Sequence, residues 1–125
     1  GYVAARHNYF YPLRIRPGGR TVALSEYGGI AWPMPGHEPP GKTYGYGTAK
    51  DKADLTKRYK MLQWKTILPQ LGRGLSALVY TQLTDVEDEV NGLFTYDRAA
   101  LKPEAAAVRS CNAALAAEFA KVTAK

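Results

Sequence analysis

The sequence predicts an α/β fold in which helices cover a parallel sheet. Residues 21–24 are apolar or β-branched and carry no charge, which is typical of a strand buried on both faces. Similar runs occur at residues 3–5 and 74–80, and helical periodicity follows the second and third runs. The order strand, strand, helix, strand, helix indicates parallel strands with crossover helices. Three strands leave two open edges, so we expect residues 1–125 to be one partial domain at the end of a larger α/β domain.

The first two predicted strands both end in polar groups. The first covers residues 2–11, with its buried part at 3–5 and a polar, aromatic tip before Pro12. The second covers residues 21–25, and Glu26 follows it directly. A carboxylate at the C-terminal tip of a buried parallel strand is where α/β barrels place catalytic groups. The alternative is that Glu26 is only the first solvated residue after the strand.

A long loop is predicted over residues 27–50, since prolines and glycines recur throughout it. Structureless loops of this length are uncommon in compact domains and are usually functional or disordered. This loop carries Trp32, His37, Tyr44 and Tyr46, so we expect it to be packed. No second His or Cys stands near His37 at the spacing of metal ligands, and we predict no metal site.

Two helices and a third strand complete the predicted elements. A helix is expected over residues 51–70, because Leu55, Tyr59 and Leu62 recur at helical spacing. The third strand covers residues 74–80 and is followed by a second run of polar and acidic residues. The last helix covers residues 104–121 and would pack through Val108, Cys111, Leu115 and Phe119.

Composition limits the classes of function. The formal net charge of +6 comes from dispersed basic residues without a compact basic run, which argues against nucleic-acid binding. No apolar run approaches the roughly 18 residues of a membrane span. Nine tyrosines, many in predicted loops, favour a sugar-binding surface. A non-catalytic carbohydrate-binding module, supported by the tyrosine-rich loop, and a basic nucleic-acid-binding domain are the alternatives to an enzyme.

Three segments, residues 25–29, 45–47 and 79–98, together resemble glycoside hydrolase family 2. The likeness is to its bacterial β-galactosidase/β-glucuronidase-like members and extends over residues 2–103. It implies a (β/α)8 TIM barrel, of which this chain would supply the C-terminal three strands and their helices. Those strands would end at residues 7–9, at Glu26 and at Gln82.

The resemblance implies hydrolysis of terminal β-galactosides or β-glucuronides with retention of configuration. Glu26 would be the nucleophile, and the acid/base Glu would lie on an upstream segment absent from this chain, so the isolated fragment should be inactive. The acidic residues Asp85, Glu87 and Glu89 are interpreted as structural or as a pocket wall. The expected partners are the carbohydrate substrate and the rest of the parent polypeptide, and no cofactor is expected.

The remaining site residues are expected at the strand ends and in the long loop. An ionised nucleophile needs hydrogen-bond donors, and Tyr9 on the neighbouring strand is the first choice, ahead of Tyr80 and Gln82. Tyr9 has the alternative role of a core aromatic residue. The predicted substrate-binding residues are His7, Asn8, Tyr9, Tyr27, Trp32, His37, Tyr80 and Gln82.

Overall fold

The computed structural model describes residues 2–9, 12–16 and 18–124, and its centre is a sheet of three parallel strands. The strands are β1 (Val3–Asn8), β2 (Thr21–Gly28) and β3 (Leu75–Thr81), with β2 between the other two. β2 is longer than predicted and includes Glu26, because the ladder with β1 continues as far as Tyr27. The last two positions of the predicted first strand, 10 and 11, lie outside the described residues.

The helices lie where helical periodicity predicted them. α1 (Lys52–Met61), a π-helical segment (Leu62–Ile67) and α2 (Leu68–Leu71) follow one another directly, and α3 covers Ala105–Thr123. Asp51 caps the N-terminus of α1, because its carboxylate accepts a hydrogen bond from the backbone N–H of Asp54 at 2.8 Å. None of the helices in the described part of the chain combines the length and apolar character needed to cross a bilayer.

The core lies on one face of the sheet. Side chains from β2 and β3 pack there against the helices; they include Val22, Leu24, Leu75, Leu62, Ile67, Leu71 and Leu115. Ala77 and Val79 are exposed on β3, and Val79 keeps 57% of its surface accessible. The helices therefore cover one face, whereas the opposite face carries exposed residues at β3.

The prediction that the chain forms the C-terminal three strands of a TIM barrel was wrong. The structure is a small, mixed α/β unit with three parallel strands and two helical regions. Two strands precede the first helix, and the described residues between β1 and β2 include no helix, so the strand–helix alternation of a barrel is not kept. The sheet stays open, with β1 and β3 as its edges.

A buried ion pair fixes the segment that follows β3. Lys102 Nζ lies 2.8 Å from Asp85 Oδ1 and donates a second hydrogen bond to the Val90 carbonyl. The backbone N–H of Gly92 also donates to Asp85 Oδ1 at 2.8 Å. The side chains of Lys102 and Asp85 are 0% and 2% exposed. Burial raises the pKa of Asp85 and lowers that of Lys102, because each charged form loses water, while the pairing opposes both shifts.

Replacing Lys102 by Met is expected to lower the free energy of unfolding by about 3–5 kcal/mol, because Asp85 would remain buried without its partner. Denaturant unfolding followed by circular dichroism measures the change. Lys121→Met, on the exposed side of α3, is the matched control and should stay within about 0.5 kcal/mol of the parent chain. Equal effects of the two substitutions would contradict a structural role for the ion pair.

Candidate active site

Glu26 lies at the C-terminal edge of the sheet beside two side chains from β1 and its exit. Parallel pairing puts Glu26 opposite His7, and His7 Nδ1 lies 3.4 Å from Glu26 Oε2. The Tyr9 hydroxyl donates a hydrogen bond to the same carboxylate oxygen. The Glu26 side chain keeps 42% of its surface accessible. The Glu26 carboxylate is thus positioned by His7 and Tyr9 and remains partly accessible to solvent.

Tyr9 is a fixed donor, not a proton acceptor, at neutral pH. Burial and then the hydrogen bond to Glu26 raise the pKa of Tyr9 to about 12. The phenol therefore keeps its proton and donates a hydrogen bond to the Glu26 carboxylate. Thr81 Oγ1, at the end of β3, lies 3.4 Å from Tyr9 Oη. All three strands consequently contribute to the position of this one hydroxyl.

The long loop adds an aromatic wall beside Glu26, and it is packed as predicted. The rings of Tyr9 and Tyr46 stack with their centroids 3.8 Å apart and an interplanar angle of 7°. Tyr44 meets Tyr46 edge-on at 5.5 Å. The backbone N–H of Tyr46 donates to the Gly29 carbonyl at 2.8 Å, which holds the loop against the end of β2.

A glycine at the end of β2 allows this approach. Gly29 has φ +67°, which favours glycine, and a Cβ built there would lie 2.6 Å from the Tyr46 ring and 2.8 Å from the Tyr9 ring. Any larger residue would therefore displace the stacked pair. A glycine at position 29 is therefore required for the geometry of the site.

Glu26, Tyr9 and Tyr46 line a cavity of about 410 Å³, which we call the Glu26 cleft. On its β3 side, Gln82 Nε2 donates to Asn91 Oδ1 at 2.7 Å and lies 3.4 Å from Glu89 Oε2. Asn91 Nδ2 donates to Glu89 Oε2 at 3.1 Å. The cleft is lined by Tyr9, Ser25, Glu26, Tyr46, Val79, Tyr80, Thr81, Gln82 and Glu89.

The structure brings together part of the predicted site. Tyr9, Tyr80 and Gln82 line the Glu26 cleft, and His7 reaches its carboxylate. Asn8 instead lines a second cavity, of about 430 Å³. Tyr9 and Tyr46 line both cavities, so their stacked rings lie between Asn8 and the cleft.

Two other predicted residues are placed in the interior. Tyr27 is 4% exposed and exchanges hydrogen bonds with the Gln63 amide at 3.2 Å. Trp32 is buried with Ala49 and Leu55 in a second apolar cluster. The structure gives both rings packing contacts and does not bring them to the Glu26 cleft.

His37 connects the long loop to the segment after β3. Its Nδ1 lies 2.7 Å from Asp97 Oδ2, and Asp97 also accepts hydrogen bonds from the Thr95 hydroxyl and the Ala99 N–H. These donors, with Thr95 the largest contributor, hold the pKa of Asp97 well below its usual range. His37 therefore has a structural partner outside the cleft.

The predicted substrate-binding residues did not include Tyr46 or Thr81, which both line the cleft, and Glu89 was expected only as structural or as a pocket wall. Tyr46 and Glu89 stand in segments that the resemblance singled out, but a motif does not show which side chains face a common space. Thr81 pairs in register with Gly28, so the alignment of the parallel strands was the signal that placed it near the carboxylate.

Comparison with known proteins gives no relative for this chain. A scan against protein-family models finds no match, and a search of curated proteins finds no significant match. The resemblance to glycoside hydrolase family 2 therefore stays a prediction, and the function has to be argued from the residues of the cleft.

Gly29→Ala should disrupt the Tyr9–Tyr46 stack, because the new methyl group would overlap both rings. Gly36→Ala is the matched control, since Gly36 also has positive φ, +83°, but faces open space. We expect Gly29→Ala to cost about 1–3 kcal/mol more than Gly36→Ala in denaturant unfolding. The near-ultraviolet circular dichroism of tyrosine should change only in Gly29→Ala. Identical behaviour of the two variants would show that the stack tolerates a side chain at position 29.

Asp97→Asn should lower the melting temperature at pH 7, because the fold stabilises the ionised carboxyl of Asp97. That contribution exists above the ordinary pKa of about 3.9 and is lost as the pH falls through the lowered value. The difference in melting temperature from the parent chain should therefore narrow below about pH 4. Asp88→Asn, at an exposed position of the same segment, is the matched control for removal of a surface carboxylate. A constant difference for Asp97→Asn would contradict this linkage.

Proposed function

We propose that this chain carries the nucleophile of a retaining β-glycosidase, and that the nucleophile is Glu26. The hydrogen bond from a partly buried, protonated Tyr9 to a half-exposed carboxylate is the observation that supports this most directly. A nucleophilic carboxylate must be ionised, oriented and accessible to the anomeric carbon. Tyr9 and His7 orient Glu26, and the open side of the cleft leaves its carboxylate accessible.

The proposed reaction hydrolyses terminal β-galactosides or β-glucuronides in two displacements. A Glu26 oxygen bonds to the anomeric carbon while the bond to the glycosidic oxygen breaks, and an acid carboxyl gives that oxygen its proton. The same carboxyl then takes a proton from water, whose oxygen attacks the anomeric carbon and releases Glu26. The two carboxyl groups need to stand about 5–5.5 Å apart.

The acid/base carboxyl is assigned to a polypeptide segment outside these 125 residues. Glu89 shares the cleft, but its Oε2 accepts hydrogen bonds from the side-chain amides of Asn91 and Gln82. These contacts arrange Glu89 as an acceptor, whereas the first displacement needs a proton donor. Without the second carboxyl we expect no turnover by the isolated chain, whose partners would be the sugar and the remaining polypeptide.

The aromatic wall favours a sugar as the ligand, and it also supports the alternative of non-catalytic carbohydrate binding. Tyr44 keeps 50% of its surface accessible beside Tyr46, and such rings stack on the apolar faces of sugars. A binding module has no need for a carboxylate with a dedicated phenol donor. The Tyr9–Glu26 pair therefore favours the enzyme over the binding module.

The nucleophile is tested with the full-length polypeptide that contains this chain. An activated 2-deoxy-2-fluoro β-glycoside should label one residue covalently, because the fluorine slows hydrolysis of the glycosyl-enzyme. Peptide mass spectrometry should locate the label at Glu26. Labelling of another carboxylate would refute the assignment. Tight sugar binding without turnover or labelling would support the carbohydrate-binding alternative.

Glu26→Gln should reduce kcat/KM by about 10⁴-fold or more, because an amide cannot attack the anomeric carbon. Tyr9→Phe should reduce it by about 10- to 100-fold through loss of one hydrogen bond to a charged group. Glu118→Gln on α3 is the matched control and should leave steady-state hydrolysis unchanged. If Tyr9→Phe were as active as the parent enzyme, the phenol would have no part in positioning the nucleophile.

A further inference from the structure

We infer that the Glu26 cleft accepts a neutral sugar and rejects one that carries a carboxylate, with Glu89 as the residue that discriminates. This inference rests on the proposed function and narrows its substrate class to neutral β-glycosides such as galactosides. It follows from the charges on the cleft, from the way Glu89 is held, and from the position of lysine and arginine side chains outside its described lining.

Two carboxylates face one small space. Glu26 on β2 and Glu89 on the segment after β3 both line the 410 Å³ cleft. Both also act on Tyr46, whose pKa is raised chiefly by its hydrogen bond to Tyr44 and further by the charges of Glu89 and Glu26. A ligand in this cleft therefore lies near two carboxylate side chains.

Cationic side chains stand elsewhere. Of the described residues that line the Glu26 cleft, none is a lysine or an arginine. Arg6, Arg14 and Arg16 line a separate groove with His7 and Asn8. A sugar carboxylate in the cleft would have to approach Glu26 and Glu89 without a cation from the described lining, and such like-charge contacts strongly disfavour binding.

Glu89 is held so that it can accept hydrogen bonds from a neutral sugar. Both of its side-chain hydrogen bonds within the described part of the chain, from Asn91 and Gln82, go to Oε2. Its backbone exchanges hydrogen bonds with Val86, and the segment is anchored by the Lys102–Asp85 pair. A carboxylate has about four acceptor positions, so Glu89 retains capacity for sugar hydroxyl groups. Hydroxyl donors suit this position, whereas a carboxylate does not.

The test compares sugars that differ only at C6, using the full-length polypeptide that contains this chain. The substrates are 4-nitrophenyl β-D-galactoside with the matched galacturonide, and the β-D-glucoside with the matched glucuronide. We expect kcat/KM to favour the neutral member of the better pair by about 100-fold or more. Preference for the charged member would overturn the inference while leaving the proposed glycosidase function intact.

Glu89→Gln keeps the shape of the side chain and removes its charge. It should shift the neutral-to-charged ratio toward the charged sugar by about tenfold or more, since one repulsive partner is lost. Glu87→Gln is the matched control, because Glu87 lies two residues away on the same segment and is exposed. An unchanged ratio in Glu89→Gln, or an equal shift in Glu87→Gln, would overturn the assignment of Glu89.

Binding to Glu26→Gln separates failure of this inference from failure of the proposed function. Calorimetry with methyl β-D-galactoside and methyl β-D-galacturonide, and with the corresponding glucoside and glucuronide, needs no turnover and leaves Glu89 in place. Selective binding of a neutral sugar supports the inference even if the parent protein hydrolyses none of the substrates, which would refute only the enzyme. Equal binding within each pair, preference for the charged member, or no binding of any of these sugars would overturn the inference.

Discussion

The candidate site depends on the parallel register between β1 and β2. Parallel strands end at the same edge of a sheet, so the pairing of His7 with Glu26 brings the exit of β1 beside the carboxylate. Tyr9 can then donate to Glu26 while its ring remains partly enclosed. A shift of one residue would turn Glu26 to the other face of the sheet, away from both groups. The backbone hydrogen bonds between β1 and β2 therefore determine which side chains lie beside Glu26.

The loop after β2 and the segment after β3 supply the rest of the cleft lining, and a different interaction positions each of them. The loop after β2 reaches the cleft because Gly29 leaves room for the Tyr9–Tyr46 stack. The segment after β3 is held in place by the buried Lys102–Asp85 ion pair, and it contributes Gln82 and Glu89 to the lining. Since Thr81 also approaches Tyr9, side chains from the ends of all three strands lie together at the Tyr9 hydroxyl.

Local pattern predicted the elements well, but it predicted neither their assembly nor the whole lining of the cleft. Strands, helices and a parallel sheet follow from apolar runs and helical spacing, which report burial residue by residue. The barrel prediction failed because it came from resemblance, whereas the described chain forms an open sheet in which two strands precede the first helix. Tyr9 was found because strand ends are neighbours in a parallel sheet. Tyr46 was not predicted as a binding residue, and Glu89 was predicted only as structural or as a pocket wall, because loop geometry decides what these side chains face. Tyr27 was predicted to bind substrate, but its side chain lies in the core.

The buried Lys102–Asp85 pair is better explained by its effect on the position of the surrounding backbone than by a net gain in the stability of the fold. Two charges taken from water lose hydration, and apolar residues of similar volume are often as stabilising as such a pair. Apolar residues could not replace the further hydrogen bonds of the pair. Lys102 donates to the Val90 carbonyl, and Asp85 accepts from the Gly92 N–H. These directional bonds fix the backbone on both sides of Asn91, whose side-chain amide donates to Glu89. The buried ion pair therefore helps to fix the position of Glu89, the second carboxylate of the cleft, on which the proposed selectivity for neutral sugars depends.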